Sequence, residues 1–326
     1  MNAVMISMFL ISSVMGLVML WFAGGRVVTY AVKVAPAFGV TRFFIAFILL
    51  PIVANIPELC VAISSALTGV GQMAAGDVVG ANFTETTLIL GITLLVTKSI
   101  ILTKNDQMRS MVLLALSSII MAINLFIGQL TRFYGLVLIA CYAGSLLWVY
   151  RHRTLQELQE AYAVTHELLY YKGISFWYTK WGIALKLFMS LLLVLASSMV
   201  VVHSVAHCSY WCGLPLETVG ATVVAMGTSL PELVVSLNAL KSKEYGLVVG
   251  PTLGNVLGHG TLVLGTLTFL SDIPIDLTPL RSTSCFMFAT FALVGYSLFK
   301  KEVGRLTGIA LLALFFFYLI FHAFIK

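Results

Sequence analysis

From residue 4 to residue 325 the chain is a succession of long apolar runs separated by polar breaks, all but one of them short. About 20 apolar residues suffice to cross the hydrocarbon core of a bilayer as a helix. Only helices and closed barrels satisfy their own backbone there. Ten runs are legible, at 4–34, 41–67, 73–97, 108–128, 132–150, 182–211, 214–240, 246–271, 282–299 and 305–325. Composition agrees with this reading. Of 326 residues, 10% are charged and 60% hydrophobic, with a mean hydropathy of +1.02, whereas a soluble domain is about one-quarter charged. A soluble enzyme, a nucleic-acid binder, a disulfide scaffold and a disordered chain are excluded. The expected fold class is an all-α polytopic membrane protein of about ten transmembrane helices. The apolar N-terminus lacks a basic n-region and reads as the first span rather than a cleaved leader.

The basic residues orient the chain. With ten spans, all but three of the nineteen lysines and arginines fall on the side opposite the N-terminus, the exceptions being Arg132, Arg281 and Lys326. Connections rich in Lys and Arg face the cytoplasm, so both termini are expected outside. The expected location is the cell membrane, plasma or inner. The net charge of +6 is thus used at span ends, and the expected partners are the lipid bilayer and small inorganic cations, with no nucleic acid, no cofactor and no obligatory protein partner. One long polar stretch, 151–181, lies on the cytoplasmic side. It reads as a linker between a first five-helix half, 1–150, and a second, 182–326.

The halves are related. The segment IPELCVAISSALTGVGQMAAGDVVGANFTETTLILG aligns without gaps to LPELVVSLNALKSKEYGLVVGPTLGNVLGHGTLVLG at a constant offset of 174 residues, 57 falling on 231. Identities include Pro57/Pro231, Glu58/Glu232, Gly76/Gly250, Gly80/Gly254, Thr87/Thr261, Leu90/Leu264 and Gly91/Gly265. Repeat 1 covers 51–91 and repeat 2 covers 225–265. The span count places the two copies in opposite orientations, so the chain is expected to hold two inverted-topology five-helix repeats. In transporters built this way the substrate site lies near the midplane, where interrupted helices meet.

Glu58 and Glu232 fall near the middle of their spans. A bare carboxylate in hydrocarbon is costly and needs a cavity, a partner or an ion; no Lys or Arg lies mid-span to pair with either. Each follows a proline, which removes a helical donor and frees a carbonyl upstream. Those carbonyls, at Ala54–Asn55 and Thr228–Ser229, join the Thr228 and Ser229 hydroxyls as neutral oxygen donors beside the carboxylates. Hard cations such as calcium take six to eight oxygens, which makes Glu58 and Glu232 the candidate calcium ligands. The second element of each repeat contributes GxxxG, a motif of close helix packing, then Asn82, Thr84 and Glu85 in one copy and Asn255, His259 and Thr261 in the other. Glu85 and His259 are equivalent. Asp77 is expected at the outer rim. Near the outer end of span 6, His203 and His207 have a spacing that can bind zinc, and Cys208 and Cys212 a spacing open to a disulfide; the alternative is a set of polar residues at a wet helix end. No HExxH motif and no nucleophile–base pair is present, so an enzyme is not expected.

The segment GATVVAMGTSLPELVVSLNAL, followed by GPTLGNVLGHGTLVLG, resembles the second α-repeat of the cation/calcium antiporter superfamily, whose best-known branch is the sodium/calcium exchangers. ANIPELCVAISSAL with GDVVGANFTETTLILG resembles the first α-repeat. The resemblance implies secondary active antiport by alternating access, most directly of calcium against sodium. It maps the family's calcium-holding glutamates onto Glu58 and Glu232. The acidic or amide residues of the second element map onto Glu85 and His259. The hydroxyl positions map onto Ala54, Asn55, Thr228 and Ser229, and the serine of the Gly-Ser-Asn motif onto Ala81 and Asn255. Several of these depart from the sodium exchangers. Asn55 three residues before Glu58 is similar to the Gly-Asn-x-x-Glu motif of the proton/calcium branch, so the resemblance also implies proton/calcium or other divalent antiport as an alternative. A membrane protein that keeps the fold without transporting is the other.

Overall fold

The structure, a computed structural model, describes residues 3–34, 49–97, 99–102, 104–151, 179–241 and 246–324. The start of the run at 41–67 and nearly all of the 151–181 linker lie outside the described residues. The first half comprises α1 (Ala3–Val34), α2 (Leu50–Ala54) and α3 (Ile56–Thr68). Then come α4 (Gly71–Thr84), running through a π turn at Glu85–Ile89 into α5 (Leu90–Thr97), and α6 (Lys104–Ile127) and α7 (Arg132–Arg151). The second half opens with α8 (Lys180–Cys212). Next, α9 (Leu216–Val219), a π turn at Gly220–Val224, α10 (Ala225–Thr228) and α11 (Leu230–Lys241) form one interrupted span. It ends with α12 (Gly246–Gly258), a π turn at His259–Val263, α13 (Leu264–Leu270), α14 (Arg281–Phe299) and α15 (Arg305–Phe324). Among the described residues, eight continuous helical stretches are long and apolar enough to cross a membrane. The two broken spans, α2–α3 and α9–α11, bring the total to ten, and the observed limits fall within a few residues of those expected wherever the residues are described.

The interruptions obey the repeat. Pro57 and Pro231 carry no N–H and cannot continue a helix. The chain turns out of helix two residues earlier, at Asn55 (φ −77°, ψ 3°) and at Ser229 (φ −81°, ψ −1°). These two residues are 174 apart and share one backbone conformation. The Asn55 carbonyl is not left free, as the sequence suggested; the Leu59 N–H reclaims it at 2.9 Å. The π turns at Glu85–Ile89 and His259–Val263 are also 174 apart. A π turn widens the helix and disturbs its hydrogen-bond ladder, and neighbouring spans supply donors. Asn124 Nδ2 donates to the Gly260 carbonyl at 3.4 Å, and is itself held by Tyr134 Oη donating to Asn124 Oδ1 at 3.0 Å. Tyr318 Oη donates to the Ala221 carbonyl at 3.2 Å.

Glycine contacts close the bundle around these points. A Cβ on Gly76 or Gly80 would run into the backbone of Glu217 or Ala221, and one on Gly220 into the backbone of Met73. The first GxxxG therefore lets α4 lie backbone-to-backbone on α9 and the π turn that follows. The glycines ending the repeats have matching uses. Gly91 abuts Gly308 on α15, while Gly265 abuts Gly135 on α7. Helix α1 runs unbroken through Gly24 and Gly25 and packs along α8. A Cβ on Gly24 would lie 3.0 Å from Pro57 and 3.1 Å from Pro231, so α1 passes between the two repeat prolines.

Two short antiparallel ribbons join the halves. Ser99–Ile101 (β1) pairs with Glu302–Gly304 (β4), and Gln129–Leu130 (β2) with Ile275–Asp276 (β3). They sit at opposite ends of α6, hence on opposite faces. Beside the second ribbon, Arg132 donates to the Ser271 carbonyl at 2.8 Å and pairs with Asp272. Hydrogen bonds from Thr278 hold the Asp276 carboxyl below its ordinary range. A folded-state value below the unfolded one stabilises the loop at neutral pH, and that contribution is lost as pH falls through the carboxylate range.

Gly80→Val should destabilise the protein by about 3 kcal/mol or more, since the obstacle is backbone rather than a mobile side chain. Gly144→Ala, at a site with nothing within 4 Å, should be neutral or slightly stabilising. Thermal unfolding of the two variants in detergent separates these outcomes.

Candidate cation site

The residues singled out from the sequence sit at the irregular points of the backbone. Glu58 and Glu232 occupy the first turns of α3 and α11, where helix N-termini favour negative charge. Glu85 and His259 are the first residues of the two equivalent π turns. Asn55 and Ser229 are the break residues themselves, and Thr228 ends α10. All are buried, as is Asn255 on α12. Because the interruptions of both halves face the same interior region, side chains more than 170 residues apart become neighbours.

Direct contacts link the elements. His259 Nδ1 lies 2.9 Å from Asn82 Oδ1, and His259 Nε2 lies 3.7 Å from Glu85 Oε1. The Asn55 side chain packs against Gly258, where a Cβ would come within 2.8 Å of Nδ2. Thr228 Oγ1 donates to Asp77 Oδ1 at 3.1 Å. Glu58 is within electrostatic reach of Glu232, Glu85 and Asp77, and Glu232 of Glu85. Thr228 lies toward Glu58 and Asn255 toward Glu85. Neither reaches a carboxylate oxygen in hydrogen-bonding geometry, for both oxygens of Glu58 and of Glu85 lack a partner, as do Glu232 Oε2, Asp77 Oδ2, Asn255 Oδ1 and Ser229 Oγ. Among the described residues no Lys or Arg pairs with these carboxylates. A group of buried, unpaired carboxylates beside neutral oxygens is the donor set that a divalent cation requires.

Two residues exceed their sequence reading. Asp77 is not a rim charge but 1% exposed, bonded to Thr228 across the interface of the halves. Asn82 orients His259. A signal existed for both. Asp77, Ala81 and Glu85 recur at four-residue spacing, and Asn82 lies one turn before Glu85, so one stripe of this span carries them all.

The histidines and cysteines at the end of α8 form a separate cluster. His203 and His207 lie 4.4 Å apart between ring centroids with their planes tilted by 38°, and the His207 ring lies 4.8 Å from Phe9 and 5.8 Å from Trp211. Cys208 and Cys212 are free thiols, Cys208 Sγ lying 3.9 Å from Ser13 Oγ. Among the described residues no group of three or more His, Cys, Asp or Glu converges as a metal site, neither here nor around the buried carboxylates. A cavity of about 550 Å³ lies beside the cluster, lined also by Thr68, Val70 and Leu216 at the ends of the broken spans.

Comparison with known proteins agrees with this architecture. The sequence pattern described as "Sodium/calcium exchanger protein" matches residues 8–151 and 182–324, leaving out only the linker and the extreme ends. The chain is a member of the sodium/calcium exchanger family. It is 27% identical over 267 residues to inner membrane protein YrbG of Escherichia coli (strain K12), across 81% of this chain and 80% of that protein. It is 28% identical over 109 residues to sodium/calcium exchanger MaX1 of Methanosarcina acetivorans, about a third of each chain. Among solved structures it resembles the sodium-calcium exchanger NCX_Mj soaked with sodium and strontium, with a TM-score of 0.66 and 21% identity, over 98% of this chain and 99% of that one. Family and fold are those of a membrane-embedded cation/calcium antiporter rather than an enzyme.

Thr228→Val would leave the buried Asp77 carboxylate without its donor. Stability should fall by about 1–3 kcal/mol, while Thr228→Ser should stay near the parent; melting in detergent is the readout.

Proposed function

We propose that this family member exchanges a divalent cation, calcium in the first instance, for sodium by alternating access. Glu58 and Glu232 are the principal ligands; Glu85, His259, Thr228, Ser229, Asn55 and Asn255 complete or tune the site. The observation that carries the reading is the set of carboxylates drawn from both halves, buried with oxygens unclaimed and no basic partner among the described residues. An empty site of this kind is electrostatically costly. The protein therefore changes its open face readily only while cations occupy the site, and that requirement couples the outward movement of one species to the inward movement of another.

The basic side, carrying Lys104, Arg151, Lys180, Lys300 and Arg305, is proposed to face the cytoplasm of a cell membrane. Both termini lie outside, and 151–181 joins the halves 1–150 and 182–326. A second reading, coupling to protons, is favoured by Asn55 and His259, which stand where the sodium exchangers carry hydroxyl and acidic or amide groups.

Calcium-45 uptake into proteoliposomes tests the proposal. An outward sodium gradient should drive uptake. Uptake driven only by an outward proton gradient would select the second reading, and no cation flux under either gradient would refute antiport. Glu232→Gln should lower calcium flux on the order of a hundredfold, since ligand charge sets affinity in oxygen sites. Cys212, at the end of α8 and exposed, should react in intact cells with a membrane-impermeant thiol reagent; protection until the membrane is breached would reverse the orientation.

A further inference from the structure

The imidazole in the site points to a narrower class of cargo. Asn82 Oδ1 can only accept a hydrogen bond. His259 Nδ1, 2.9 Å away, therefore carries the ring proton and donates it. In that tautomer Nε2 holds a lone pair, and it faces Glu85 Oε1 at 3.7 Å. Neither oxygen of the Glu85 carboxylate has a hydrogen-bond partner. Two buried lone pairs thus confront one another at a separation beyond the roughly 3.2 Å limit of a hydrogen bond. It is close to the ~3.4 Å edge of a tetrahedron whose ligands each lie about 2.1 Å from a shared metal ion. The Asn82–His259–Glu85 arrangement also has the form in which a metal-ligating histidine is held by an acceptor on its other nitrogen.

Donor identity then decides between cations. Carboxylate and carbonyl oxygens suit magnesium, calcium and manganese, whereas an imidazole nitrogen suits the later first-row ions, with affinity rising from manganese to copper and falling back at zinc. We infer that the site binds the later first-row divalent cations, iron to zinc, more tightly than calcium, with His259 Nε2 and Glu85 as the ligands that set the preference. The inference rests on the antiport reading, because it assigns a cargo to the same site.

The test is competition against calcium-45 uptake in proteoliposomes, together with melting of the purified full chain in each cation. A His203→Ala/His207→Ala background removes the imidazoles at the end of α8 as a second source of metal binding. In that background nickel or zinc should half-inhibit calcium uptake at concentrations about tenfold or more below strontium. His259→Asp should erase that advantage, read as the ratio of transition-cation to strontium effect on the variant's own melting or residual uptake, and His259→Asn serves the same purpose if the aspartate variant fails to fold. Equal inhibition by strontium and by the transition cations, or an order unchanged in the His259 variants, overturns the inference and leaves calcium antiport standing. A folded protein that neither melts higher with, nor takes up, any divalent cation overturns both.

Discussion

Hydrocarbon offers no hydrogen-bond partner to a backbone amide and no solvation to a charge, and this constraint arranges the rest of the molecule. Every place where a helix is broken or widened must be enclosed by protein. The breaks at Asn55 and Ser229 and the π turns at Glu85–Ile89 and His259–Val263 are so enclosed, and the acidic side chains are attached to the same points. The glycine contacts of α4 with the span that begins at α9, of α5 with α15 and of α13 with α7 bring the surrounding helices close enough to exclude lipid. The outward faces, with Phe126, Phe133, Phe299 and Leu306 exposed, carry the apolar side chains that lipid tolerates.

Much of this was legible in the sequence because its causes are local. Apolar length gives the spans. A proline beside a glutamate in mid-span gives a break and a reason for it. A constant offset gives the inverted pair and proves to govern the backbone as well, relating the two break residues and the two π turns. Features that depend on what lies across an interface were not legible. A π turn has no compositional mark, since Glu85–Ile89 reads as ordinary helix. The ribbons are two or three residues long, below the length at which alternation is detectable. GxxxG announces close packing but not the partner, which only the fold supplies as α9 and the turn after it. Asp77 was misplaced because distance along the chain from the loop suggested a rim, while its position on the stripe shared with Glu85 decides its environment.

The scaffold is nearly symmetric and the donor set is not. Pro57 and Pro231, Gly91 and Gly265, and the turns opened by Glu85 and His259 are shared because each answers a backbone problem that both halves face. The side chains between them have diverged: Ala54 against Thr228, Asn55 against Ser229, Ala81 against Asn255 and Glu85 against His259. Once the backbone irregularities are fixed, exchanging one buried donor for another alters what the interior attracts without disturbing how the helices meet. Affiliation with the sodium/calcium exchangers therefore follows from the scaffold, and the proposed selectivity rests on a few positions within it.

Both ribbons cross from one half to the other, β1 reaching β4 on one face and β2 reaching β3 on the opposite face. Arg132 bonds across the second junction, and Thr228 reaches Asp77 through the interior. The union of the halves is thus written in non-covalent bonds at three depths. Cutting the peptide between the halves would leave each of these contacts with both of its partners in place.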